Sequence, residues 1–340
     1  MPPTLPSSSV TLDRCLAPAR GEGKGERGMA LVLTLLVVVL LVTTVLEFDR
    51  STRTTLKGAG NFRDGMKAFY LATSGVAAAQ AVLKDDKNRT QIDSLTELWA
   101  TPFPPYPLGD GTVAVAIQDE GGKINVNALV TADGHKPSAP RAIEQLKELF
   151  RLQGLDPAPV DAIVDWLDRD DVEEPGGAET AYYERLDRPY RCRNGRLETL
   201  ADLHLVKGVT DEVYRAISPY LTVYANNVGN DHRINVNTAD PLVLRTLPVQ
   251  EPSRGVVSFP LDAEQVEKLV AARPFSSLNQ LNQVSGMDPA VVSHLQPQLE
   301  VRSQHFSVYA EGAANGVKKA VLAVVDRSGE PTLRYWRLAD

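Results

Sequence analysis

The sequence predicts an α+β protein. A long N-terminal helix crosses a membrane and continues as a stem beside an antiparallel β-sheet, and a large, mainly helical domain is inserted between the strands. Three observations carry this expectation. An uncharged run from Met29 to Leu46 is long enough to cross a bilayer. Short β-type runs lie on both sides of a mostly helical stretch far longer than a loop. Within that stretch a short motif occurs twice, at Lys123–Ala128 and at Arg233–Ala239.

The apolar run reads MALVLTLLVVVLLVTTVL. As a helix rising about 1.5 Å per residue it covers roughly 27 Å, close to the thickness of a hydrocarbon core. Arg14, Arg20, Lys24 and Arg27 precede it, and Glu47 and Asp49 follow. Cationic residues stay on the cytoplasmic side, so the bulk of the chain lies across the membrane. A signal anchor and a cleaved export signal are the two readings from physics. The second calls for a shorter apolar stretch and a small-residue cleavage site, and neither is present.

Beyond the membrane, Phe48 to Leu83 keeps a helical pattern rich in Ala, weakened by Gly58, Gly60, Gly65 and Gly75, where a bend is expected. The proline cluster Thr101–Gly109 is expected as a loop and Thr112–Ile117 as a strand. Three more strands are expected at His305–Ala310, Lys318–Asp326 and Thr332–Leu338, separated by turns at Ala313–Gly316 and Ser328–Pro331.

The repeat KINVNA/RINVNTA is followed each time by a helix, a glycine-centred turn at Gly208 or Gly286, and a second helix. Asn suits turns and caps, and each Gly suits positive φ. These halves are similar to helix-hairpin-helix units, which in nucleic-acid proteins bind phosphate. Lys207 beside Gly208 supports that use, but Ser285 stands at the equivalent place in the second copy. A net charge of −7 also argues against a phosphate backbone as partner.

The stretch Asp161–Arg191 is the densest in chemistry. Asp168, Asp170, Asp171, Glu173 and Glu174 crowd together, with Gly176, Gly177 and Glu179 following. Such carboxylates repel one another unless solvent or a cation intervenes. A solvated acidic loop and a calcium loop both remain open, since calcium takes six to eight oxygens and tolerates flexible wrapping. The match to an EF-hand is poor, because the Gly and the final Glu are misplaced. No His, nucleophile or ligand-binding loop accompanies the acids, so catalysis is not expected. Cys15 and Cys192 are the two cysteines, too few for a disulfide framework or a zinc cluster.

Arg27-Gly28 directly before the apolar run resembles a type IV prepilin leader, cut after the Gly. Most pilins carry Glu at the fifth mature position, where this chain has Leu33. The missing Glu, the D-W-L-D-x-D-D stretch at Asp165–Asp171, the G-G-A-E stretch at Gly176–Glu179 and the INVN repeats together resemble the K-type minor pseudopilins of type II secretion (the general secretion pathway K family). The likeness covers about residues 27 to 303.

The resemblance implies a leader over residues 1–28, cleaved by prepilin peptidase between Gly28 and Met29, with Met29 N-methylated. It implies a transmembrane helix at 29–46, a stem helix and first strands at 47–130, an inserted helical domain at 131–303, and closing strands at 304–340. It implies calcium on the insert, carried over to Asp168, Asp170, Asp171, Glu173, Glu174 and Glu179. It implies a non-enzymatic subunit at a pseudopilus tip. That subunit would be single-pass in the bacterial inner membrane with its bulk in the periplasm. Its partners would be the I- and J-type minor pseudopilins, the secretion inner-membrane platform and secreted cargo. The alternative is an envelope DNA-binding protein of a competence-type pilus, using the hairpin units.

Overall fold

The structure is a computed structural model that describes residues 24–101, 104–135, 141–224, 233–250 and 257–339. Most of the expected leader, including Cys15, lies outside the described residues. The chain divides into two compact units, Met1–Phe62 and Arg63–Asp340.

The first unit is helical from Lys24 onward and belongs to helix α1, which spans Lys24–Arg89. Its apolar run is long and uncharged enough to cross a membrane. Three threonines interrupt that run, and each hydroxyl donates to a carbonyl one turn back: Thr34 to Leu31, Thr43 and Thr44 to Leu40. Polar side chains at membrane depth are thereby satisfied within the helix. The four glycines expected to weaken the stem do not end it, and the helix is continuous to Arg89.

In the second unit, α1 buries Ala68, Ala72, Val76, Ala79 and Leu83, a stripe with helical spacing. The stripe packs on a five-stranded antiparallel sheet. Its strands are β1 (Tyr106–Leu108), β2 (Gly111–Asp119), β3 (His305–Ala314), β4 (Val317–Asp326) and β5 (Thr332–Ala339), in spatial order β1-β2-β3-β4-β5. Phe306, Val308, Ala310, Val321, Ala323 and Val325 form the sheet side of this core. Strand β1 corrects the expectation of a plain loop over the proline cluster. It pairs Tyr106 with Val113 and Leu108 with Gly111. Strands β3 and β4 meet at a two-residue turn, Asn315-Gly316, both with positive φ. That is the type I′ hairpin geometry, which tightens the longer turn expected at Ala313–Gly316.

The chain leaves the sheet after Asp119 and returns at His305, where the Glu120 N–H donates to the His305 carbonyl at 3.0 Å. The excursion contains α2 (Arg141–Leu152), α3 (Pro159–Leu167), α4 (Thr180–Tyr183), α5 (Asp211–Ile217), α6 (Pro241–Arg245), α7 (Ala263–Ala271) and α8 (Pro289–Leu295). It has its own hydrophobic core, including Leu146, Phe150, Ile163, Leu203, Leu244 and Leu269. The repeated motif opens two equivalent units. Ile124-Asn125 pairs in parallel with Leu221-Thr222, and Ile234-Asn235 with Leu299-Glu300.

The asparagines do more than the local capping expected of them. The Asn127 amide binds both the N–H and the carbonyl of Leu197, and the Asn237 amide does the same at Phe275. Asn125 and Asn235 accept from the N–H two residues on, an Asx turn in each copy. In both copies, the first half of the hairpin is a 3₁₀ helix, at Leu200–Leu205 and Leu278–Gln283, and not an α-helix. Gly208 and Gly286 follow with φ of 80° and 83°, the left-handed region that favours glycine.

A buried polar hub fastens the excursion to stem and sheet. Arg327 pairs with Asp86 at 2.7 Å and with Asp93, and lies over the Phe306 ring. Asp93 accepts the Ser303 N–H, while Asp119 accepts from Ser303 Oγ, Thr238 Oγ1 and Asn235 Nδ2. Burial pushes the carboxyls of Asp86 and Asp119 up to about 6.

Candidate metal centre

Helix α3 sets the first wall of the site. Pro159 starts it, its apolar side chains face the core, and Asp168 ends it in extended conformation with its N–H on the Val164 carbonyl. Asp165, one turn earlier, is fully buried. Its carboxylate accepts the Glu174 N–H at 3.1 and 3.3 Å, which folds the acidic loop back over the helix end. A Cβ at position 177 would overlap Asp165 Oδ2, so Gly177 is what lets the loop backbone close on this carboxylate.

The closure gathers three of the six expected acids. One carboxylate oxygen each from Asp168, Asp170 and Glu179 lies within 4.8 Å of the others. Asp168 and Glu179 are buried, and Asp170 is half-buried. Asp171, Glu173 and Glu174 do not join this group. Asp171 is exposed and accepts from Asn194 Nδ2 at 3.5 Å, Glu173 is exposed, and Glu174 contributes its backbone to Asp165.

Both carboxylate oxygens of Glu179 are buried with no hydrogen-bond partner among the described residues. Burial first, then the neighbouring carboxylates Asp165, Asp168, Asp171 and Asp170, push its carboxyl up to about 7. A buried acid with unmet oxygens beside other acids calls for a proton or a cation. The donors are all oxygen, which suits a hard cation. Magnesium keeps several waters and demands near-ideal octahedral geometry, so a cluster on a folded loop fits calcium better. The residues present therefore fit the ion.

Reasoning from the sequence missed Asp165 and Asn194. Asp165 stands within the apolar run of α3, and a charge on a buried helical face was the available signal. Asn194 has positive φ, and its Oδ1 is buried without a partner among the described residues. Nothing in the sequence around it marks this.

The loop is braced by the first hairpin. Lys207 donates from Nζ to the Gly177 carbonyl at 2.7 Å and lies over the Tyr182 ring. The Lys207 N–H donates to the Tyr183 hydroxyl, and Tyr183 packs edge-on against Trp166 of α3. The lysine that favoured phosphate binding is thus turned onto the acidic loop. The Cys192 thiol is buried and pushed up to about 12, mainly by that burial, the reverse of a reactive thiolate. In a second acidic group, Asp86, Asp93 and Glu97, the first two already hold the Arg327 guanidinium.

The family model of type II secretion system protein K matches residues 122–226, which include the first repeat's opening motif and the acidic loop. Type II secretion system protein K of Pseudomonas aeruginosa is 30% identical over 263 residues, covering 74% of this chain and 73% of the relative. This chain belongs to the type II secretion protein K family. The protein K of Aeromonas hydrophila is 26% identical over 83% of this chain and 87% of the relative. A chain in the crystal structure of the GspK-GspI-GspJ complex from the enterotoxigenic Escherichia coli type 2 secretion system shares the fold. Its TM-score is 0.67 at 18% identity, covering 85% of this chain and 99% of that one. Members of the protein K family are minor pseudopilins, structural components of secretion. Among the described residues one helix is long and apolar enough to cross a membrane, which fits a single-pass anchor.

Proposed function

We propose that this protein K caps the pseudopilus, begins its assembly together with the I- and J-type minor pseudopilins, and supports protein export from the periplasm. The observation that carries this reading is α1 itself. One helix holds an uncharged membrane-length run and, further on, the stripe that packs on an antiparallel sheet. The excursion from Glu120 to Gln304 interrupts that sheet between paired strands β2 and β3 and adds bulk that a repeating shaft would have to accommodate. Leu33 stands where a shaft subunit offers a carboxylate to its neighbour's terminal amine.

Prepilin peptidase cuts between Gly28 and Met29 and N-methylates Met29, and the mature chain then docks with the secretion inner-membrane platform. Calcium held by Asp168, Asp170 and Glu179 stiffens the acidic loop. It is a structural ion, since the group lies in a loop folded back over the end of α3 and braced by Lys207. The DNA-binding alternative loses support from the same lysine.

The test is removal and rescue. Deleting the chain should abolish export through this pathway, and the wild-type chain should restore it. Mass spectrometry of the rescued strain should find methylated Met29 as the N-terminus. Full export without the chain, or an intact leader in cells with active peptidase, would overturn the reading.

A further inference from the structure

Helix α1 changes character where its apolar run ends. Glu47 to Lys67 carries a net charge of +2, against −10 for Ala68 to Asp340. Arg50, Arg53 and Lys57 follow one another at i, i+3 and i+7, a spacing that stacks them on one side of the helix. Phe48, Leu56 and Phe62 are exposed on the opposite side, so the three cations form a face of their own. Arg53 pairs with Asp49 at 2.8 Å, but both side chains are more than half exposed and water leaves such a pair weak. Arg50 and Lys57 have no ion-pair partner among the described residues. From Leu46 the helix rises about 6 Å to Arg50, about 10 Å to Arg53 and about 16 Å to Lys57. The headgroup layer on each side of a hydrocarbon core is about 5–8 Å thick. Helical side chains lean toward the helix N-terminus, here back toward the bilayer, and long cationic side chains extend into the interface.

We propose that the face formed by Arg50, Arg53 and Lys57 binds the phosphate groups of anionic phospholipids, such as phosphatidylglycerol, in the leaflet where α1 leaves the membrane. The proposal rests on the reading of α1 as a membrane anchor. Arg50 stands within the headgroup layer, and Arg53 and Lys57 lie within roughly a Debye length of it, about 8 Å at physiological ionic strength. Cations this close to an anionic leaflet are attracted to it, and three on one side of a helix act on the same patch of headgroups. The net −10 of Ala68 to Asp340 acts in the opposite sense. An anionic leaflet therefore draws the stem in while it holds the acidic remainder of the chain off its surface. An acidic protein surface is the competing occupant for a basic stripe. Depth favours lipid, because a protein reaching Arg50 would have to displace the headgroups already there.

The experiment reconstitutes the full chain into phosphatidylcholine vesicles with a trace of spin-labelled phosphatidylglycerol or spin-labelled phosphatidylcholine. Electron paramagnetic resonance reads the fraction of each label immobilised on the protein. The wild-type chain should prefer phosphatidylglycerol by about threefold to fivefold, in line with one to a few cations acting at the surface. The preference should collapse when salt is raised from about 0.1 M to 1 M, where the Debye length falls to about 3 Å. A triple variant with Arg50→Gln, Arg53→Gln and Lys57→Gln keeps good helix formers on an exposed surface and should show no preference. Lys84→Gln, which removes one cation far along α1 from the apolar run, should leave the preference unchanged, and circular dichroism checks that every variant is folded. Equal immobilisation of the two labels by the wild-type chain, or an undiminished preference in the triple variant, would overturn the lipid proposal alone. Loss of a protein partner from the triple variant, with no lipid preference in the wild type, would assign the stripe to an acidic protein surface and likewise overturn it. Release of the wild-type chain from the vesicles by an alkaline wash would overturn the membrane-anchor reading and this proposal together.

Discussion

Glu179 carries the charge problem of the acidic loop. Its carboxyl stands at about 7 against an ordinary 4.5, first through burial and then through Asp165, Asp168, Asp171 and Asp170. A pKa raised on folding contributes stability that is complete below the unfolded value and lost as pH rises through the folded one. Without metal, the chain from Phe48 onward should therefore melt higher at about pH 5 than at about pH 8, with the change centred between about 4.5 and 7. Asp86 and Asp119 act in the same direction but away from the loop. A cation replaces the proton, so calcium should raise the melting temperature more at about pH 8 than at about pH 5. Glu179→Gln separates the contributions: it should raise the melting temperature of the metal-free protein at about pH 8 and remove the calcium response. Calorimetry with calcium and with EDTA reads both effects. Equal melting temperatures under the two conditions, with no metal found by elemental analysis, would leave a solvated acidic loop. The density of acids was legible in the sequence because charge crowding is a local property. Which three converge was not, because that depends on Asp165 drawing the loop back through a backbone bond nine residues away.

At the scale of elements, the contact between α1 and β3 is set by Gly312. A Cβ there would overlap the Ala68 carbonyl oxygen and come within 2.7 Å of the Ala72 nitrogen, both backbone atoms that cannot rotate away. Gly312→Ala should push the stem off the sheet and cost about 2–3 kcal/mol, read as a lower melting temperature or denaturant midpoint. Gly316→Ala, at the β3–β4 turn with open space around it, should cost only about 1 kcal/mol, for its positive φ. Equal effects of the two changes would show that close approach does not matter. Strands β3 to β5 were readable because alternation and Gly turns are local signals. Strand β1 was hidden by its prolines. Pro107 is tolerated there because β1 is an edge strand paired only with β2, where a missing N–H costs no second ladder bond. The repeats were visible as text, but not the long reach of Asn127 and Asn237, since sequence shows an asparagine's capacity to bond and not its partner.

For the whole molecule, the question is whether one chain repeats along a filament or ends it. A shaft repeats one contact, so every shaft subunit must both give and accept the same pair. In pilins the accepting group is the carboxylate at the fifth mature position, and an unpaired charge inside a bilayer is expensive. With cleavage before Met29, as proposed, Leu33 would leave this chain able to present its terminal amine but not to receive one. The excursion between β2 and β3 is the second obstacle, and it is independent of the first. Leu33→Glu alone should therefore not turn the protein into a shaft subunit. Position is the measurable consequence. Ser51 lies on an exposed part of α1 just beyond the apolar run. A cysteine there should form cross-links in assembled pseudopili to subunits of other types and almost none to its own kind. The number of copies per filament should stay near one however long the filament grows. Abundant like-with-like cross-links, or a copy number rising with filament length, would place the chain in the shaft and refute the terminal role, because only a repeating subunit meets itself at every step.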